Sequence, residues 1–269
     1  MGGWEFLIPN SEFVGGPRPP THATLRAMRQ ELLSKQTSEI QGMFGRIAHR
    51  YDLLNRVLSL GRDVSWRRVV ARRVAAADPG VVLDVCTGTG DLGFAIRAPI
   101  VFGADFCLPM LNLANEKAIS RGRSLPLFAA DALTLPIPDG SVDVVTVAFG
   151  IRNFSDLETG LAELVRVLRP GGLLLVLEFS RPVGRLAPLL GWWVRTVPPR
   201  VGRILSGDAE AYSYLPASVS SFADGAEMCR RLSDAGLDQI MARRLTGGVA
   251  SLYEGTRRDG AAASYGESS

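Results

Sequence analysis

Three aspartates and one glycine-rich loop are the residues of this sequence best suited to act together. Val81-Val-Leu-Asp-Val-Cys-Thr-Gly-Thr-Gly-Asp-Leu-Gly93 runs from an apolar stretch through Asp84 into closely spaced glycines. The pattern predicts a buried strand, a tight loop and a helix start carrying Leu92, Phe94 and Ile96. Gly88 and Gly90 lack a Cβ, so the backbone there can come close to a ligand. Such a ligand would sit at the carboxyl end of a strand, where open α/β sheets place their sites. Asp105 and Asp131 end the next two apolar runs, Ile100–Ala104 and Leu127–Ala130. A carboxylate at the second strand tip can accept both ribose hydroxyls of an adenosine. One at the third, Asp131-Ala132, can accept from the adenine amino group. Each aspartate alone is also an ordinary turn former; their joint placement after the glycine loop describes an adenosine pocket.

Two ligand classes compete for this pocket. Gly88-Thr89-Gly90-Asp91-Leu92-Gly93 fits the dinucleotide pattern G-x-G-x-x-G. Against that, Asp91 would stand at a helix N-terminus, where a pyrophosphate would meet a second anion. S-adenosylmethionine carries a sulfonium and an ammonium and no phosphate, and so suits Asp91. A glycine turn with no ligand is the remaining alternative.

The elements that must position these residues alternate strand and helix from residue 81 onward, the signature of a mostly parallel α/β sheet. Further strands are expected at Val142–Phe149 and Leu173–Phe179, the latter apolar from Leu173 to Leu177 and so buried on both faces. A helix is expected near 108 to 120. Ser155-Asp-Leu-Glu158 reads as a capping box opening a helix that Pro170-Gly-Gly172 stops. After a helix at about 222 to 235, strands near 238 to 245 and from Val249 to Tyr253 flank Thr246-Gly-Gly248, an antiparallel hairpin at the sheet edge. Residues 37–80 form a helical preamble ended by Asp78-Pro79-Gly80. Residues 1–36, broken by glycine and proline, read as a flexible extension, with Met28 an alternative start. Residues 181–221 are an insert, and 258–269 a mobile tail.

Composition limits the partners. A hydrophobic content of 46% supports a sizeable core, and a net charge of +3 is far from a nucleic-acid signature. Three scattered cysteines and two histidines indicate neither a disulfide framework nor a metal centre. No run reaches the ~18 residues needed to span a bilayer, and the N-terminus is a poor secretory signal. A cytoplasmic protein is expected.

The sequence resembles the quinone-biosynthesis C-methyltransferases, the family of demethylmenaquinone methyltransferase and 2-methoxy-6-polyprenyl-benzoquinol methylase. The resemblance rests on Met43-Phe-Gly-Arg-Ile-Ala-His-Arg-Tyr-Asp-Leu-Leu-Asn55, Leu58-Ser-Leu-Gly61 with Trp66-Arg67, the glycine loop, and Phe149-Gly-Ile-Arg-Asn153. It continues through Arg166-Val-Leu-Arg-Pro-Gly-Gly172, Leu177-Glu-Phe-Ser-Arg-Pro182, Tyr212-Ser-Tyr-Leu215 and Leu245-Thr-Gly-Gly-Val249. It covers about residues 38 to 257 and implies a Rossmann-like class I methyltransferase sheet using S-adenosylmethionine, without a metal. The donor candidates are Asp84, Gly88, Thr89, Gly90, Asp105, Asp131 and Ala132. A serine common in the family before Phe-Gly-x-Arg-Asn is Ala148 here and is left out.

The implied reaction methylates a ring carbon of a polyprenylated quinol, demethylmenaquinol in preference to the 2-methoxy-6-polyprenyl-benzoquinol of the ubiquinone series. Ionising a ring hydroxyl activates that carbon, so the site must favour phenolate and exclude water. Arg152 is the candidate for stabilising the oxyanion; as arginine stays protonated, it is a poor base. A plain salt-bridge arginine is its alternative. Asn153 is expected either to position the ring or to hydrogen-bond the turn. Tyr51, Asp52 and Asn55 are expected to close over the acceptor, and His49 is a candidate base. Leu186–Val194 with Arg185, Arg195, Arg200 and Arg203 suits a bilayer interface; a lid or a homodimer contact is the alternative. An NAD(P)-dependent oxidoreductase and a non-catalytic quinone- or adenosine-binding protein are the rival functions.

Overall fold

In the computed structural model, residues 22–184 and 224–259 are described, with a few isolated positions between them. The insert and the Tyr212–Leu215 motif lie largely outside the described residues. Seven strands form one sheet: β1 (Val81–Val85), β2 (Ile100–Asp105), β3 (Leu127–Ala129), β4 (Val142–Ala148), β5 (Leu168–Phe179), β6 (Leu237–Leu245) and β7 (Ala250–Arg257). Their order is β3-β2-β1-β4-β5-β7-β6. The pairs β1–β2, β1–β4, β2–β3 and β4–β5 are parallel, whereas β7 runs antiparallel to both β5 and β6. The strand order reverses between β1 and β2 on one side and β4 on the other, which is where such sheets open a crevice. Helices α1 (His22–Leu58), α2 (Arg62–Ala77), α3 (Leu108–Ser120), α4 (Leu157–Val167) and α5 (Ala226–Asp234) flank it.

Both faces of the central strands are covered. Leu83, Val145, Val147, Leu174 and Val176 pack toward Leu161, Leu164 and Met228 on one face. Val82, Val144, Leu175 and Leu177 pack toward Trp66, Val70 and Val74 of α2 on the other. This explains the near-continuous apolar runs of β4 and β5.

Four local expectations are corrected. No helix follows the glycine loop: Phe94 N–H bonds Gly90 O and Ile96 N–H bonds Leu92 O, a single turn, and the chain then enters β2. Leu92, Phe94 and Ile96 alternate at period two, and Pro99 closes the crossover, so a long helix has no room there. The cap of α4 is Asp156, whose carboxylate accepts from Thr159 N–H at 3.1 Å; Glu158 instead pairs with Arg231 of α5. The Pro170-Gly-Gly172 stretch does not stop that helix, which ends at Val167; these residues lie inside β5. Helix α1 starts at His22, within the stretch expected to be an extension.

Candidate active site

A cleft opens at the carboxyl edge of β1 to β4. Asp105, at the tip of β2, is its best-ordered polar group. One carboxylate oxygen accepts Gly88 N–H at 2.8 Å and the other Cys107 N–H at 2.9 Å. Burial pushes its carboxyl above the usual range, and these backbone donors oppose the shift. Each oxygen keeps a lone pair for a further donor. Asp131 lies beside it, accepting Leu133 N–H at 2.9 Å, and Ala132 follows. Met110, Phe106 and Leu133 add apolar wall.

The glycine loop is braced from below rather than from within. Asp84 is buried beneath it, with its two oxygens accepting from Thr146 at 2.6 Å and Thr87 at 2.7 Å. Burial raises its pKa to about 6 despite those hydroxyls. Asp84 does not line the cleft; it fixes the loop that does. Gly90 sits at φ 81°, and a Cβ there would fall 2.7 Å from the Phe94 ring. Cys86, on the cleft wall, holds φ 55°, and Phe149 opposite holds φ 60°. Side chains rarely occupy this region, and such strain gathers at functional sites. Gly150 is required by that contact: a Cβ would stand 2.3 Å from Cys86 Cβ.

Of the predicted residues, Gly88, Asp105, Asp131, Ala132, Tyr51 and Asn153 share the cleft wall. Ala148, set aside above, lines it too. Thr89, Gly90 and Asp52 stand beside the cleft rather than on its wall. Thr89 Oγ1 donates to Asp52 at 2.6 Å and accepts from Lys117 at 2.8 Å. Tyr51 meets Phe44 edge-on with ring centroids 5.8 Å apart. Burial raises its phenol; Arg152 and a hydrogen bond with Asn55 work against that. Tyr51 and Asn55 thus share a helix face as their spacing implies. His49 is exposed and not on the wall, so nothing places it as a base.

Arg152 occupies a place other than the one expected. Its side chain is 5% exposed, and Nη1 donates to Glu178 at 2.7 Å and to Phe149 O at 2.7 Å. Its guanidinium lies 5.4 Å from the Phe179 ring centroid. Glu178 is fully buried in β5, and desolvation raises its pKa even with Arg152 beside it. The Arg152 Nε is buried without a hydrogen-bond partner.

The charges that disfavour a dinucleotide lie elsewhere than at Asp91. Asp91 does not line the cleft; it turns to Lys117 at 2.9 Å, with Arg56 and Arg121 each at 3.8 Å. Burial works to raise its carboxyl, but Lys117 foremost, with Arg67 and Arg56, holds it below the ordinary range. The wall itself now discriminates: its charged side chains are Asp105 and Asp131, with no lysine or arginine among the described lining residues. Two carboxylates and no cation repel a pyrophosphate and suit an adenosyl ligand of positive charge. The residues that sequence spacing missed are Lys117, Glu178 and Arg67, which pairs with Asp63 at 2.5 Å and lies 5.4 Å from the centroid of the Phe149 ring on the cleft wall. All three act through partners, and an acid inside the Leu173–Phe179 run was the one visible signal.

Comparison with known proteins agrees with this geometry. Residues 31–257 match the ubiE/COQ5 methyltransferase family. A demethylmenaquinone methyltransferase of Deinococcus radiodurans is 46% identical over 81% of this chain and 92% of its own length. One from Thermus thermophilus is 46% identical over 80% of this chain and all of its own. Among solved structures, a SAM-dependent methyltransferase of Thermotoga maritima, described as a possible histamine N-methyltransferase, covers 81% of this chain and 99% of its own, with a TM-score of 0.59 and 18% identity. At that identity the likeness is one of fold.

Proposed function

The chain belongs to the ubiE/COQ5 methyltransferase family, and on that premise we propose that it C-methylates demethylmenaquinol to menaquinol, with S-adenosylmethionine as methyl donor. One observation carries the donor site: a cleft at the sheet's switch point, walled by Asp105 and Asp131 and free of cations among its described residues. Asp105 would hold the ribose hydroxyls, Asp131 and Ala132 the adenine edge, and the Gly88–Gly90 loop the charged end. Bound there, the donor supplies an electrophilic methyl group.

The chain's own residues prepare the acceptor. Tyr51 and Asn153 face the cleft. A raised phenol pKa keeps Tyr51 protonated near neutral pH, so it donates to a quinol oxygen and is not a base. Arg152 is not on the cleft wall; its buried Nε–H, without a hydrogen-bond partner, is the donor that a quinolate oxygen reaching past Phe149 and Asn153 would satisfy. In the transfer a C–C bond would form as the S–CH₃ bond breaks, and the ring C–H proton would pass to the former quinolate oxygen, restoring the aromatic ring and its hydroxyl. Phe44, Phe149 and Phe154 exclude water from the reacting centre.

A polyprenyl tail has to be drawn from a bilayer. Leu53, Val57 and Leu60 are exposed at 56%, 37% and 68% near the end of α1, and Trp192 of the insert at 56%. With Arg56 among them, these residues support a peripheral membrane contact. Incubation with labelled S-adenosylmethionine and each demethylated quinol tests the proposal. Label should enter demethylmenaquinol. Uptake only by the 2-methoxy-6-polyprenyl-benzoquinol would reassign the substrate to the ubiquinone series.

A further inference from the structure

We propose that Lys117, far from any motif, is the positioning residue that fastens α1 over the donor site and sets how long the donor and its demethylated product stay bound. The proposal rests on the donor-site reading above. Lys117 stands on α3, and its ammonium contacts partners on two other elements: Asp52 of α1, and Asp91 and Thr89 of the glycine loop at 2.9 and 2.8 Å. An ammonium has three donors, and these three contacts use them all. Thr89 closes the ring by donating to Asp52 at 2.6 Å. The groups are mostly shielded: Lys117 is 22% exposed, Asp52 29% and Asp91 13%. They are screened less than surface pairs.

The arrangement matters because of what α1 carries. Phe44 and Tyr51 form one wall of the cleft. Ala48, Phe44 and Tyr51 pack on Met110 and Cys107, and Gln41 donates to Phe106 O at 2.7 Å. Those contacts secure the middle of α1 to the β2–α3 segment. Asp52 follows Tyr51 directly and reaches the glycine loop. The cluster therefore joins the Tyr51 wall to the loop meant to hold the sulfonium end of the donor. Without Lys117, Asp52 and Asp91 face each other as like charges, with Arg56 and Arg121 only at 3.8 Å from Asp91. α1 would then lift from the loop while the sheet stays intact.

The test is product release. Wild type, Lys117→Met, Lys117→Arg and Asp52→Asn are compared by stopped-flow displacement of S-adenosylhomocysteine, with circular dichroism to confirm folding. Charged hydrogen bonds are worth about 1.5–3 kcal/mol each, so losing one net contact should speed release roughly ten- to a hundredfold in Lys117→Met. Lys117→Arg should recover part of this, and Asp52→Asn should resemble Lys117→Met. The Lys117→Met, Asp52→Asn double variant should be little worse than either single change, because both break one cluster. The KM for the donor should rise. Folded Lys117→Met or Asp52→Asn with wild-type release rates would overturn the proposal. A wild-type protein that binds no S-adenosylhomocysteine would instead remove the donor-site reading, and this inference with it.

Discussion

The buried pair of Arg152 and Glu178 allows structure and catalysis to be separated in one experiment. The charges are 2.7 Å apart, with side chains 5% and 0% exposed. At an effective dielectric of about 20, their attraction is about 6 kcal/mol. Desolvation costs several kcal/mol per ion and nearly cancels it. The direction of the Glu178 shift agrees, since burial outweighs the adjacent cation. Breaking the pair is another matter. Glu178→Gln leaves a guanidinium buried without a counter-charge, and should cost about 3–5 kcal/mol. For a domain of this size that is a fall in Tm of roughly 6 to 20 °C. Replacing both partners by apolar residues of similar volume, Arg152→Met with Glu178→Leu, should restore most of the loss. Denaturant unfolding, S-adenosylhomocysteine binding and methyl transfer are then measured on the same preparations. The double variant should be stable and bind the product, yet not turn over. Wild-type turnover in it would show that Arg152 serves the fold alone. A double variant as unstable as Glu178→Gln would refute the desolvation argument.

Three further outcomes follow from separate features. Gly150→Ala places a Cβ against Cys86 and should destabilise by about 1–3 kcal/mol, measured by urea midpoint; Cys86→Gly, which also removes a residue at φ 55°, should rescue it, and failure to rescue would refute the clash. Asp84 has a folded pKa of about 6 against an ordinary 3.8, so its ionisation weakens the folded state as pH rises between those values, by about 3 kcal/mol in all, and protonation recovers this as pH falls. The stability advantage of Asp84→Asn over wild type should therefore grow across that interval in unfolding titrations; a constant difference would exclude the shift. Leu53→Ser with Leu60→Ser should reduce flotation with anionic liposomes several-fold while leaving donor binding unchanged, since roughly 25 cal/mol is lost per Å² of apolar contact; unchanged flotation would remove α1 from the membrane contact, and a dimer lost in the variant would assign the stripe to self-association.

The sequence made the sheet and its acidic tips legible because both depend on local signals. Apolar runs of five and four residues, ended by Asp105 and Asp131, define a strand and its exit at once, and Thr246-Gly-Gly248 marks the last turn where the structure has it. Helix caps were less legible. Ser155 and Asp156 are both good caps side by side, and only packing decides that the carboxylate takes Thr159 N–H. The partners of the site were least legible. Lys117 lies 28 positions from Thr89, and Glu178 lies 26 from Arg152, separations with no helical or strand period. A motif can show that Arg152 matters, but whether its guanidinium faces a substrate or a buried carboxylate depends on which strands become neighbours.

The short crossover after β1 ties these points together. Parallel strands are normally joined through a helix, which would stiffen a glycine loop from its own C-terminal side. Here residues 86–99 contain only one turn, so stiffness has to come from elsewhere. Every part of the loop is in fact held by another element. Asp84 holds Thr87, Asp105 holds Gly88 N–H, and Lys117 holds Thr89 and Asp91. Beyond them Arg123 reaches Phe94 O, and Leu125 fills the space beside Gly90 and Gly93. Three of these supports come from α3 or the chain just after it. Substitutions in that segment, remote from any motif, should therefore loosen the glycine loop before they unfold the sheet. Amide exchange reads this directly: in Lys117→Met, protection should fall at Thr89 to Phe94 while β4 and β5 keep theirs. Loss of protection spread evenly over the sheet would mean that the loop is rigid by its own geometry.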